Sequence, residues 1–168
     1  MRHSLLAISL AAALIAGCGS DSEPPEKDSL AESLSVWQDM KTADDGTYQY
    51  TRTSSSFSGV RTTTTFVVEN DVVVRRTHEV YDADGTVIDS FDEQGDEVGS
   101  NTGAHPVYNV DELYQICRDD VLSQDPEKNQ IILTFHEDGI LETCVYVPLD
   151  CADDCDEGVD IATLDMSL

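Results

Sequence analysis

The side chains of this chain best equipped for covalent or coordination chemistry are thiols and carboxylates crowded toward the C-terminal end. Cys117, Cys144, Cys151 and Cys155 stand apart from a fifth cysteine, Cys18. The loop Asp150-Cys151-Ala152-Asp153-Asp154-Cys155-Asp156-Glu157, followed by Asp160, gathers six carboxylates. In an oxidising compartment the four distal thiols form two disulfides, for which three connectivities exist. The favoured set is Cys117–Cys144 and Cys151–Cys155. Cys117 falls on the apolar stripe of a predicted helix and Cys144 within a strand that the helix covers, while three residues between Cys151 and Cys155 make a ring that closes readily. One feature opposes the first pair. Strict alternation groups Cys144 with Ile140, Glu142 and Tyr146, whereas Leu141, Val145 and Val147 form the more apolar face. If that second face meets the helix, a different pairing is favoured. A cysteine zinc site is the rival, although paired C-x-x-C knuckles are missing. The carboxylates Asp150, Asp153, Asp154, Asp156, Glu157 and Asp160 have the chemistry of a calcium site, since that ion takes six to eight oxygens and a disulfide would pre-organise the loop. Their spacing matches no established calcium loop, and a solvated acidic turn explains them as well.

Other candidate groups are sparser. Asp82-Ala83-Asp84-Gly85 with Glu93 has an acidic rhythm, but the glycine stands at position four instead of the six an EF-hand loop requires. A hairpin turn accounts for it better. His78, His105 and His136 fall in no metal-binding spacing, and their neighbours Glu79 and Glu137 point to opposite strand faces. Neither a G-x-S-x-G elbow, a phosphate-cradling glycine loop nor a cysteine–histidine signature is present. The expectation is therefore a protein without catalytic residues.

Cys18 has a different context. Met1-Arg2-His3-Ser4 precedes an apolar run from Leu5 to Ala16 broken only by Ser9. That is the anatomy of an export signal: one positive residue, a short apolar run, then small residues. It is too short to remain as a helix across ~30 Å of hydrocarbon. Ile15-Ala16-Gly17-Cys18 resembles the lipobox of bacterial lipoproteins, in which cleavage frees the cysteine and its sulfur carries acyl chains. This implies a signal at 1–17, a lipidated Cys18, and a bilayer as the first partner, held by ~0.8 kcal/mol per buried methylene. Gly19 in place of Asp favours the outer membrane by resemblance to enterobacterial sorting, with the chain facing the periplasm or the surface.

Removing 17 residues leaves 151, and residues 18–28 read as a lipidated cysteine and a flexible tether of Ser, Asp, Glu and Pro. The remainder, 29–168, is enough for one domain with a real core. Losing Arg2 leaves 8 basic against 34 acidic residues, a formal charge of −26. Nucleic acid and anionic lipid head groups are poor partners for such a surface. Its acidity suits either solvation in salty water or a cationic partner or metal.

The elements that must position these groups follow from periodicity. Ser29 to about Lys41 reads as a helix with Leu30, Leu34 and Trp37 on one stripe and a capping box from Ser29 to Glu32. Thr47–Thr53 alternates as a strand with Tyr48, Tyr50 and Arg52 on one side. Arg61–Glu69 and Val72–Tyr81 form a hairpin turning at Asn70-Asp71, though its mixed faces leave the register open. A short strand at Thr86–Ser90 precedes an acidic loop to about Pro106. Asn109 with Glu112 caps a second helix running to about Ser123. Strands follow at Gln130–His136, Ile140–Val147 and Val159–Leu164. Tight hairpins with only two helices define an α+β fold, a mostly antiparallel sheet of about five to seven strands with two helices on one face.

Trp37, the Tyr48-x-Tyr50 strand and the hairpin at Glu69-Asn70-Asp71 together resemble a family of uncharacterised bacterial lipoproteins carrying a domain of unknown function. There a Trp-bearing helix precedes a Tyr-x-Tyr strand and a hairpin, and a later helix leads to C-terminal strands. The resemblance covers about residues 30–165 in order of elements. It departs at the end, where His136-Glu137-Asp138-Gly139 and the cysteine loop replace the family's Gly-x-Pro turn and acidic strand. It implies the fold and the anchor and no activity. The expected function is a membrane-anchored, non-catalytic module that binds another envelope protein through its sheet or acidic loops. A calcium-dependent module and an unrecognised hydrolase are the alternatives.

Overall fold

The computed structural model of the protein describes residues 25–152 and 155–168. Cys18, the segment around it, Asp153 and Asp154 lie outside them. The fold is α+β with mainly antiparallel strands, as the patterning implies. The first helix, α1 (Pro25–Ala43), begins four residues before Ser29, so residues 25–28 belong to its first turn and not to a tether. Proline is favoured in a first helical turn, and Glu26 and Asp28 complement the positive end of the helix dipole. Ser29 and Glu32 therefore lie inside the helix and do not cap it. Leu30, Ser33 and Trp37 face the core, and the chain turns at Asp45 and Gly46, both with positive φ.

Strands β1 (Tyr48–Ser55), β2 (Arg61–Glu69), β3 (Val72–Tyr81) and β4 (Val87–Gln94) form a meander. The last strand, β8 (Thr163–Asp165), completes a five-stranded sheet in the order β4-β3-β2-β1-β8. Asn70 and Asp71 carry φ of 52° and 65°, the paired left-handed conformation that matches strand twist in a two-residue hairpin. The inner face grades from apolar to polar. Tyr48, Tyr50, Phe66 and Val68 are fully buried, with Trp37 edge-on to Tyr48 at 4.8 Å and Tyr50 stacked on Phe66 at 4.8 Å. Each such side chain contributes roughly 1.5–3 kcal/mol through burial. The adjoining positions on the same face hold Arg52, Thr64, His78, Arg76 and Glu93, all buried. This polar stretch is why the hairpin's faces look mixed in the sequence. Glu93 lies within β4, which extends four residues beyond the predicted strand into the expected acidic loop.

A second sheet, β5 (Asn129–Phe135), β6 (Leu141–Pro148) and β7 (Glu157–Asp160), stands separately from the first. Two sheets thus replace the single sheet expected, and the predicted final strand is divided between them. The division falls at Ile161-Ala162: the Ile161 N–H bonds to the Glu142 carbonyl of β6, and the Ala162 N–H to the Thr51 carbonyl of β1, both at 2.8 Å. Adjacent residues thus stitch the two sheets together.

Helix α2 (Val110–Ile116) is capped as predicted. The Asn109 side chain accepts from the Glu112 N–H, and Glu112 reaches back to the Asn109 N–H. Asp111 ties it to α1 by accepting from Trp37, Gln38 and Lys41. It then continues as a wider turn, Cys117–Val121, closed by the Leu122 N–H on the Cys117 carbonyl at 2.9 Å, and so ends short of Ser123. Cys117 pairs with Cys144 and Cys151 with Cys155. The alternation that counted against Cys117–Cys144 is reset by a bulge. Thr134 opposes Thr143, but Phe135 opposes Leu141, so Glu142 is an extra residue. Leu141 and Cys144 thereby share the buried face. Gly158 on β7 passes so near β6 that a Cβ there would sit 2.2 Å from the Cys144 carbonyl oxygen.

Candidate functional site

Where the two sheets meet lies an open cleft of about 1750 Å³. One wall is the end of the β1–β2 hairpin, with Thr53 to Ser56 and Val60 to Thr63. The other comprises β7, Tyr146 and the wide turn after α2; Ile132 of β5 and Val145 of β6 also border the space. Its lining is rich in hydroxyls, with Arg52, His105 and Asp160 grouped together.

Arg52 is buried because it occupies the same strand parity as Tyr48 and Tyr50. Its Nε donates to Asp160 Oδ1 at 3.0 Å and its Nη2 to the Gly158 carbonyl at 3.2 Å. Asp160 Oδ2 accepts from the Thr53 N–H at 2.8 Å. The carboxylate thus bridges guanidinium and backbone, and joins β7 to β1 across 108 residues of sequence.

His105 comes from the long segment between β4 and α2, and that segment is held by a second buried arginine. Arg76 grips Glu93 through two hydrogen bonds of 2.7 and 3.0 Å, then donates to the carbonyls of His105 and Asn101 at 3.0 and 2.9 Å. Glu93 accepts in turn from the Gly99 and Asn101 backbones and from the Ser100 and Asn101 side chains. The Arg76 hydrogen bonds, opposed by desolvation and helped by those backbone donors, hold the Glu93 carboxyl well below the usual carboxylate range. This clamp fixes the backbone of residues 99–105 and so sets His105 beside Arg52.

The His105 imidazole is held toward its neutral form, first by burial and then by the Arg52 charge; Asp160 and a hydrogen bond to the Thr53 backbone oppose the shift. Its Nε2 is buried without a hydrogen-bonding partner, the only such side-chain atom among the described residues. Buried polar atoms are nearly always satisfied, so this nitrogen marks a place where a water or a polar group of a bound molecule fits. A neutral imidazole presents Nε2 as an acceptor or as a donor according to its tautomer, so a hydroxyl or an amide on a bound group matches it in either form.

The other histidines have structural partners. His78 Nδ1 is 2.9 Å from Thr64 Oγ1, and His136 Nε2 is 2.6 Å from the Ile161 carbonyl. Asp82 Oδ1 accepts from the Asp84 and Thr86 N–H groups, an ordinary turn. Of the six carboxylates read as a possible calcium set, Asp160 is paired with Arg52, Glu157 accepts from the Tyr146 hydroxyl at 2.6 Å, and Asp150 and Asp156 lie on the exposed loop. Asp153 and Asp154 lie outside the described residues, and among the described residues no three His, Cys, Asp or Glu side chains come together to hold a metal.

Sequence reasoning places Asp160 in a calcium set and not against Arg52, weighs Glu93 only as the end of an acidic rhythm and His105 only against metal spacings, and does not single out Arg76. One signal was available. Arg52 and Arg76 lie at inward positions of strands, and a buried arginine requires a buried acid. No protein-family model, curated protein or solved structure matches the chain.

Proposed function

We propose that this chain is an exported bacterial lipoprotein, cut before Cys18 and anchored by acyl chains at that sulfur. In this reading the folded domain is a non-catalytic module that binds a protein partner at the envelope, at the outer membrane by the character of Gly19. Export is supported by the signal-like residues 1–17 and by two cystine pairs, which persist in oxidising compartments. Among the described residues no helix is long and apolar enough to cross a membrane, so a separate anchor accords with the fold.

The observation that carries the binding reading is His105 Nε2, a buried ring nitrogen without a hydrogen-bonding partner at the edge of an open cleft. The adjacent charges are paired with each other, Arg52 with Asp160, which suits a site that holds a polar group in place. A polar group on a bound protein segment completes this site without chemistry.

Two experiments test the reading. Native protein extracted from membranes should yield an N-terminal peptide beginning at an acylated Cys18, and Cys18→Ser should abolish the acyl mass and detergent partitioning. A product that retains Met1, or that lacks acyl mass, overturns the anchor. Substituting His105→Leu should weaken partner recovery after cross-linking in intact cells at least tenfold while leaving the fold intact. Unchanged recovery overturns the cleft assignment.

A further inference from the structure

The small sheet has an edge unlike any other in the molecule. β5 reads Asn129-Gln130-Ile131-Ile132-Leu133-Thr134-Phe135 and carries no charge, in a chain where 26% of residues are charged. It pairs with β6 alone. Among the described residues, Gln130 to Phe135 make no backbone hydrogen bond outside that ladder. Half of the strand's amides and carbonyls therefore face outward as an open row. Natural edges are usually guarded by lysine, proline, an inward charge or a cover. None of these lies within β5 itself, and Lys128 stands just before its first residue, whereas β4, an edge of the large sheet, carries Asp89, Asp92 and the inward Glu93.

The surroundings select the occupant. Exposed acids outnumber cations at the ends of the strand: Asp125, Glu127 and Lys128 precede it, Lys128 pairing with Asp125 at 3.4 Å, and Glu137 and Asp138 follow it. A second copy of the chain would bring like charge against like charge, on top of a formal net charge of −25. A complementary segment has the reverse pattern, a few β-branched residues flanked by lysine or arginine. Strand addition supplies main-chain hydrogen bonds for affinity, and the alternate side chains and flanking charges supply selectivity. Ile132 also borders the cleft, so a segment paired with β5 approaches the site described above.

We infer that β5 is a docking edge that accepts an extended, cation-flanked segment of another protein as an added strand. This rests on the protein-binding reading and names the partner's chemistry.

The test uses the full mature chain in detergent and a synthetic peptide of alternating valine and threonine with two lysines at each end. Two further versions are N-methylated at odd or at even positions, removing the N–H row from one edge or the other. Binding is followed by fluorescence anisotropy, and amide hydrogen exchange locates it. The parent peptide should bind and slow exchange in β5. One methylated version should bind like the parent and the other at least tenfold more weakly. A glutamate-flanked version, and the exposed-site variants Gln130→Lys and Thr134→Lys, should each lose at least tenfold. Failure of the parent to bind, equal binding of both methylated versions, protection in β4 instead of β5, or a peptide-independent dimer through β5 in sedimentation overturns the inference. Loss of the Cys18 acyl mass would sink the anchor alone, because peptide binding does not depend on it.

Discussion

Arg52 and Arg76 lie two strands apart on the inner face of the large sheet, 4% and 2% exposed, yet their surroundings differ in kind. Arg76 spends its donors on Glu93 and two carbonyls and lies over the Phe91 ring at 5.2 Å, while Glu93 is saturated by the segment it pins. Arg52 has one carboxylate, Asp160, whose side chain is 23% exposed, and its neighbour His105 has an unpaired nitrogen. The first arginine completes a closed network that fixes a loop. The second belongs to an open one with room for a polar group from outside. The two are linked, because the Arg76 bond to the His105 carbonyl places the ring beside Arg52. A closed network thus positions an open one, the usual relation between a supporting shell and a binding site.

The largest expected effect breaks the closed network. Arg76→Ala leaves Glu93 buried without its cation and should destabilise the fold by about 3–5 kcal/mol in urea unfolding. Amide protection in residues 99–105 should fall in step. Next comes the wall of the cleft. The Cys117–Cys144 bridge closes a separation of 27 residues, so the Cys117→Ala, Cys144→Ala double variant should lose about 2–4 kcal/mol in the same assay. Arg52→Met should cost less, about 1–3 kcal/mol, because Asp160 can turn to water.

Acid titration separates the networks by window. The folded-state value of Glu93 is depressed, so the unfolded chain binds the proton more readily, and the stabilisation is complete above the ordinary value of 4.5 and fades as pH falls below it. His105 and His78 are both held neutral in the fold, chiefly by burial, so their contribution is complete above 6.5 and fades as pH falls below that value. Urea unfolding across pH should therefore show two declines, and His105→Leu should reduce only the upper one, leaving the share that His78 contributes. The smallest stability effect belongs to that same substitution at pH 7.5. Removing an unsatisfied polar atom from a buried position should shift stability by less than about 1 kcal/mol in either direction, the mark of a residue kept for binding.

Much of the scaffold is legible in local sequence. Asn109 with Glu112 announces a helix start, Asn70-Asp71 a hairpin, and Tyr48, Tyr50 and Arg52 a shared face, because each rests on contacts between residues a few positions apart. The cysteine pairing is legible from element placement. Other features rest on information that no short window holds. The extra residue Glu142 reverses strand parity without any glycine or proline to mark it. Glu93 stands in the run Asp92-Glu93-Gln94-Gly95-Asp96-Glu97, where every neighbour suggests solvent, and only a partner seventeen residues earlier buries it. The division into two sheets depends on Ile161 and Ala162 bonding to different partners, β6 and β1. The site was least legible of all, since Arg52, His105 and Asp160 are brought together by the fold from three distant segments.

Photo-crosslinking in intact bacteria, with one probe residue at a time, tests the central claim most directly. Ser55 lines the cleft and Ser90 lies on β4 away from it, both exposed and on the same sheet. A probe at position 55 should give one discrete higher-mass adduct that disappears in His105→Leu, and a probe at position 90 should give none. Equal adducts from both positions, or an adduct at 55 indifferent to His105, would contradict the account.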